Sequence, residues 1–423
     1  MRRTSAIAAF AAIAVAVVGC SSSSSTTGTG TTSSPAAGGN TIDIYSSLPL
    51  QAANIAQTVP TVNGMKLALA QAGGKAGQWT VNYQSLDDAT AATGKWDPGQ
   101  CAANARKAAS DPKTIIYLGE FNSGCSEVSI PILNEAGIPQ ISPANTYVGL
   151  TTSLPGSAPG EPQKYYPTGK RTYLRIVPID SIQGAADLIA MKNAGCTKVA
   201  VANDKEAYGG GLATLLELEK GFYGVTIVSN TGIDPTAPNF RSYASTIAGQ
   251  GADCFFFAGI TANGGVQIVK DVHTAIPTAK IFGADGVCTS AWTDPAKGGV
   301  PASIDPLIQC TVATLDLSAY PGGKAFLAAY QAKYGVSSPD PYAIYGYAVM
   351  QLALNTIKSL GAQGNSKSAV LAALFATKST PSVLGTFGFN ANGDTTLKSY
   401  GLYKVSNGQP VFYQTVTPTK TVS

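Results

Sequence analysis

Two successive series of short β-rich runs, each run followed by a helical pattern, predict an α/β fold with two parallel-sheet domains. Three observations carry the prediction. Runs such as 115–118 and 254–257 are continuously apolar, as strands buried on both faces are. The segments between the runs repeat apolar residues at helical spacing, which is the signature of βαβ units. About 380 residues lie beyond a polar N-terminal tract, more than a single core organises.

In chain order, Ile42 and Ile44 begin the first strand, and Val62, Met65, Leu69 and Ala72 recur at helical spacing. Trp79, Val81 and Tyr83 alternate with polar residues, the period of a strand. A helix over 101–109, a strand over 115–118, a helix over 127–136 and a strand over 138–141 complete the first series. A Pro/Gly-rich stretch, 151–169, then interrupts the pattern and reads as a long surface insertion. The alternation restarts with helix 184–193, strand 198–202, helix 210–220, strand 225–228, helix 240–249, strand 254–257, helix 264–273 and strand 280–282. Helices over 323–334, 342–360 and 366–376 follow. The chain closes on two strand patterns, 400–405 and 411–416, around Asn407-Gly408, a hairpin signal.

Ahead of the first strand, Arg2 and Arg3, an apolar run over 6–18, then Gly19 and Cys20 have the layout of a secretory signal peptide, 1–19. The cysteine at the cut marks Cys20 for lipidation, although Val17 and Val18 stand where the lipoprotein pattern prefers leucine and a small residue. Residues 20–40 are nearly all Ser, Thr, Gly, Ala or Pro, with too little apolar surface to offset the entropy of ordering. They read as a tether that lets the folded part range on the order of 25 Å from its anchor. No later stretch has the roughly 20 apolar residues of a membrane span. The expected location is extracytoplasmic, at the cell membrane through the N-terminal lipid. With 28 basic and 24 acidic residues, two of the basic ones in the leader, the charge balance points to no nucleic acid.

Cys20 apart, Cys101, Cys125, Cys196, Cys254, Cys288 and Cys310 form an even set in an oxidising compartment, where disulfides are expected. Sequence leaves the connectivity open, and spacing favours Cys101 with Cys125, Cys196 with Cys254, and Cys288 with Cys310. Cys196 and Cys254 each precede an apolar run, which puts both at the same end of two parallel strands. No cysteine pair has metal-ligand spacing and His273 is the single histidine, so neither metal nor cofactor is read.

The stretches GEFNSGC from Gly119, AGIPQISPANT from Ala136, NDKEAYGGGLA from Asn203, GADGV from Gly283 and YGVSSPDPYAIYGYAVM from Tyr334 occur in an order that resembles the type I periplasmic solute-binding proteins, specifically the leucine/isoleucine/valine-binding family that serves ABC importers. The resemblance implies two Rossmann-like lobes, 41–177 with 316–383 and 178–315 with 384–417, joined by three hinge crossings near Val177, Leu315 and Leu384. It also implies lobes that close on a small ligand, an amino acid of branched-chain type or a related zwitterion or amide, and a monomer that delivers it to a membrane permease. The alternative is a sensor of the same fold that reports ligand to a membrane signalling partner.

Strand ends hold ligands in open parallel sheets, and the motif residues fall there. Ser123 follows the strand 115–118; the helix N-terminus beyond it offers free amides to a carboxylate, with capping of that helix as the alternative role. Ala144, Asn145 and Thr146 match the family segment that binds an amino-acid head group, and Thr146 is the foremost of them. Tyr208 matches a tyrosine that covers the ligand from the second lobe. Asp285 matches an acidic position that pairs with the ligand's ammonium, where the family more often has glutamate. A family aromatic aligns with Ile260 or Thr261, so the side-chain pocket differs. Glu120 either faces the cleft or, as is commoner for a loop carboxylate, is exposed. No enzyme is expected: His273 sits on a helix away from strand ends, and Gly209-Gly210-Gly211 lacks the Lys-Ser/Thr of a phosphate loop.

Overall fold

The computed structural model describes residues 40–422; the leader, the tether and Cys20 lie outside them. The first sheet is built from β1 (Thr41–Leu48), β2 (Lys75–Ala76), β3 (Trp79–Asp87), β4 (Thr114–Gly119), β5 (Gln140–Ser142) and β6 (Tyr173–Arg175), in the order β2-β3-β1-β4-β5-β6. All its pairings are parallel except β2 with β3. The second is built from β7 (Val199–Asn203), β8 (Ile227–Gly232), β9 (Cys254–Ala258), β10 (Lys280–Gly283) and β11 (Ile308–Val312). A separate hairpin, β12 (Thr380–Ser382) with β13 (Gly385–Phe387), precedes β14 (Tyr400–Ser406) and β15 (Gln409–Val416). The last two strands extend the second sheet antiparallel, in the order β15-β14-β11-β10-β9-β7-β8. Asn407 and Gly408 both have positive φ, +51° and +70°, as the tight β14–β15 turn requires.

The helices of the first half are α1 (Ile55–Gln71), α2 (Pro98–Ser110) and α3 (Ser123–Glu135). Those of the second are α4 (Asp180–Asn193), α5 (Ala207–Tyr223), α6 (Arg241–Gly249), α7 (Val266–Ala275) and the short α8 (Ser290–Thr293). Then α9 (Gly323–Tyr334), α10 (Tyr342–Ser359) and α11 (Lys367–Ala376) return to the first sheet, where α10 packs along α1. Two glycines set that packing. A Cβ on Gly64 would lie 2.0 Å from the Ala343 carbonyl oxygen, and one on Gly346 would lie 1.9 Å from that of Thr61, so the two backbones touch. Among the described residues no helix is long and apolar enough to cross a membrane.

The three disulfides join the expected pairs, with Cα separations of 5.6, 5.7 and 5.5 Å. Cys254 opens β9 and Cys196 precedes its neighbour β7, so the second bond staples two parallel strands at one end.

Several boundaries differ from expectation. α3, α4 and α5 begin earlier than expected, at Ser123, Asp180 and Ala207, because their first turns are polar or glycine-rich and carry no apolar period. α7 begins later, at Val266, since an irregular turn with Gly264 at φ +80° occupies 261–265. β6 has only three residues, and β11 alternates Gln309 and Thr311 into its apolar positions, so neither stood out. The stretch 151–169 runs along the surface, with ten of its nineteen residues exposed, but it is anchored in the fold at a few side chains. Tyr165 and Tyr166 are buried with Ile130, Tyr147 and Leu215, and the buried Glu161 accepts hydrogen bonds from Tyr147 (2.7 Å) and Tyr165 (2.5 Å). Aromatic area pulls the loop onto the fold, and a paired carboxylate makes its burial tolerable.

The chain passes between the sheets after Arg175, after Val312 and before Tyr400, while Leu384 lies in the turn between β12 and β13. Arg175, fully buried, ties these regions together. Its Nε donates to Asp394 (2.8 Å), ahead of β14, and its Nη1 donates to the Tyr147 carbonyl (2.7 Å), beyond β5.

Candidate functional site

The carboxyl ends of the parallel strands in both sheets face one cleft of about 460 Å³, its solvent-open mouth included. From the first sheet, the segment after β1 contributes Asn54 and Gln57, that after β4 Phe121, Asn122 and Ser123, and that after β5 Ala144 and Thr146. From the second, Glu206 and Tyr208 follow β7, Ile260 follows β9, and Asp285 and Gly286 follow β10. Tyr342, the first residue of α10, completes the wall.

Ser123 is the first helical residue of α3, with Asn122 in the cap position and no side-chain cap bond. The opening amides of an α-helix have no partner within it, so this wall carries partial positive charge. Trp96 lies over the same turn: a Cβ on Gly124 would come within 2.6 Å of its indole ring.

The opposite wall is acidic. The buried Asp285 carboxylate takes hydrogen bonds on Oδ1 from Tyr208 and from Gln183 Nε2 (3.0 Å), and on Oδ2 from Tyr342. Gln57 Nε2 reaches across the cleft to the Asp285 backbone carbonyl at 2.9 Å. Burial raises the Asp285 pKa, while the hydrogen bonds from Tyr208, Tyr342 and Gln183 pull the other way. Behind it, burial also raises Asp180 and Asp187 well above the ordinary carboxylate range, and the Asp285 charge adds to both shifts.

At the rim, Lys95 and Trp96, carried between β3 and α2, meet Glu206 from the other side. Lys95 Nζ lies 2.9 Å from Glu206 Oε1 and 2.6 Å from Asn263 Oδ1, and Trp96 Nε1 donates to Glu206 Oε2 at 3.0 Å.

Of the residues expected at the site, Ser123, Ala144, Thr146, Tyr208 and Asp285 line the cleft, and of the two alternatives for the aromatic position Ile260 does. Asn145 does not. Its side chain turns inward, where Nδ2 donates to the Phe121 carbonyl (2.7 Å) and Oδ1 accepts from Tyr173 (3.0 Å), so it braces the loops. Glu120 is not an exposed carboxylate either. It is fully buried and accepts a hydrogen bond from Tyr117 (2.9 Å), and Asp88 is fully buried too; burial raises both, Glu120 to about 7, and the Glu120 charge adds to the Asp88 shift. His273 is half-buried in the last turn of α7.

Asn54, Gln57, Phe121, Asn122, Glu206, Gly286 and Tyr342 were missed. Asn54 and Gln57 follow a strand end and were legible by that rule; Tyr342 reaches the site from a helix that begins far along the chain, which no local pattern shows. Among the described residues, the two side-chain groups with metal-ligand proximity, Asp88 with Cys101 and Cys125, and Asp253 with Cys196 and Cys254, have their sulfurs bonded to each other.

Comparison with known proteins agrees with this architecture. Residues 49–410 match the family model described as periplasmic binding protein. The Leu/Ile/Val-binding protein BraC3 of Rhizobium johnstonii is 27% identical over 320 residues, which are 74% of this chain and 79% of that protein. An amino acid binding protein of Pseudomonas aeruginosa is 28% identical over 73% of this chain and 76% of its own. Among solved structures, the leucine-binding protein LivK of Thermotoga maritima superposes with a TM-score of 0.75 at 21% identity, covering 89% of this chain and 99% of that one. A solute-binding protein of an ABC transporter from R. palustris, in complex with benzoate, superposes at 0.73 and 20% identity, over 89% and 97% of the two chains. The chain belongs to the periplasmic binding protein family, with leucine/isoleucine/valine-binding proteins among its relatives.

Proposed function

We propose that this protein is the extracytoplasmic binding subunit of an ABC importer, lipid-anchored through Cys20, and that it captures an amino acid or a similar small zwitterion between its two lobes. The observation that carries the reading is the polarity of the cleft: a helix N-terminus at Ser123 on one wall and the Asp285 carboxylate on the other. A ligand carboxylate fits the first, assisted by the Ser123 and Thr146 hydroxyls. Asp285 Oδ2 takes only Tyr342, which leaves it an acceptor position for an ammonium. Among the described residues no lysine or arginine lines the cleft, and Glu206 is already paired with Lys95, so a simple anion would meet Asp285 without a compensating cation.

In this reading the lobes, 41–177 with 316–383 and 178–315 with 384–417, rotate about their crossings. Ligand favours the closed form because only that form brings both walls to it. Calorimetric titration of the purified protein with amino acids, amines and organic acids tests the assignment. Binding confined to compounds bearing both charges supports it; binding of a carboxylic acid lacking an amine, with no zwitterion bound, refutes it.

The Lys95–Glu206 ion pair is then a latch made only on closure. Lys95→Met is expected to weaken ligand binding by about 1 kcal/mol, mainly through faster release, and to reduce the salt dependence of the dissociation rate. Stopped-flow release at two ionic strengths checks this; an unchanged rate and salt slope would remove the latch.

A further inference from the structure

Asn54 and Asn122 come from the carboxyl ends of β1 and β4, which are neighbours in the first sheet, and both line the cleft. Each is 8% exposed. Asn54 Nδ2 and Asn122 Oδ1 are buried and have no hydrogen-bond partner. Buried amide atoms are almost always paired, because an unpaired one loses its water and gains nothing. The side-chain amide of Gln57, by contrast, bonds the Asp285 carbonyl, and Tyr208 and Tyr342 bond the Asp285 carboxylate. The two open positions therefore lie on one side of the cleft and are of opposite kind, a donor and an acceptor.

We propose that Asn54 and Asn122 form a polar side-chain subsite, and that the ligand is a zwitterion whose side chain both donates and accepts hydrogen bonds, a carboxamide or hydroxyl amino acid rather than a branched aliphatic one. The inference rests on the zwitterion reading above and adds to it. A carboxamide satisfies both open atoms whichever way either asparagine amide is turned. A branched aliphatic side chain would seal both atoms away from water unpaired, a penalty that makes polar sites reject apolar isosteres. The only aliphatic side chain on the opposite wall that matches the family's aromatic position is Ile260, which leaves the polar pair to set orientation.

The test uses ligands matched in shape: L-asparagine against L-leucine, L-threonine against L-valine, and L-glutamine against L-methionine, each titrated into the purified protein. In the pair that binds best, the polar member is expected to bind about ten- to a hundredfold tighter. Equal or tighter binding of its apolar partner overturns the polar subsite and leaves the zwitterion reading standing. Binding by none of the six overturns both. Asn54→Leu, checked for folding by its melting temperature without ligand, is expected to bring the ratio in that pair to within about threefold of unity; an undiminished ratio in a folded variant overturns the role of Asn54.

Discussion

Replacing Asp285 with asparagine is expected to weaken binding of a zwitterionic ligand by about 2 to 5 kcal/mol while leaving the unliganded protein as stable as before or more so. The two effects separate because the carboxylate is costly in the empty protein. It is buried, its pKa is raised by that burial, and Asp180 and Asp187 stand behind it with no hydrogen-bond partners of their own. Three donors hold its oxygens in place. An asparagine keeps the shape, and the tyrosine hydroxyls rotate to accept from its amide. What it cannot supply is the charge that pairs with an ammonium. Affinity of the native protein should also fall as pH drops through the raised Asp285 pKa, since protonation removes that charge, and the variant should lack this dependence. Calorimetry at about pH 7.5 and about pH 5 reads both; equal affinity for the native protein and the variant would remove Asp285 from the ligand contact.

Stability should move with pH in the opposite sense to acid denaturation over a wide range. The protein is expected to melt several degrees higher at about pH 5 than at about pH 8. Burial raises Glu219 to about 8, with only the Val422 amide pulling it back, and raises Asp340 to about 7 and Glu120 to about 7. Between the unfolded values, 4.5 for the two glutamates and 3.8 for Asp340, and these folded values, the native state keeps protons that the unfolded chain has released. The unfolded chain binds fewer protons, so stability falls as pH rises through that window and is flat below it.

Glu161 and Asp253 work the other way. Burial opposes their ionisation, but hydrogen bonds from Tyr165, Tyr147 and Lys164 to Glu161, and from Thr197 and the Lys198 amide to Asp253, outweigh it. Their contribution is present above the unfolded pKa and is lost below about pH 4. Maximum stability is therefore expected near pH 5. Glu219→Gln should remove part of the slope between pH 4.5 and 8, on the order of 2 to 4 kcal/mol, because its proton no longer titrates. Melting curves of both proteins across this range decide the matter: a flat or rising native profile, or an unchanged slope in the variant, contradicts the assignment.

The parts of the site that could be read in sequence are those that follow a strand directly. Ser123, Thr146, Tyr208 and Asp285 each lie within a few residues of a parallel strand's carboxyl end, and the sheet delivers them to one edge. Asn145 failed by the same geometry, because its side chain points into the loop while its neighbours Ala144 and Thr146 reach the cleft. Glu120 failed because a loop carboxylate is ordinarily exposed, and only the packing of Tyr117 and Ser142 around it buries this one.

Sequence by itself determined the alternation of strands and helices and the hairpin at Asn407-Gly408, because each is set by local periodicity or a turn requirement, and it favoured without fixing the pairing of the six described cysteines. Tertiary structure alone decided that Glu161, Tyr165 and Tyr166 anchor the stretch 151–169, that Tyr208, Tyr342 and Gln183 converge on Asp285, and that Asn54 and Asn122 line the cleft with an unpaired amide atom each. Burial and hydrogen-bond partnership depend on what a distant segment brings to the same place, and no local pattern along the chain encodes that.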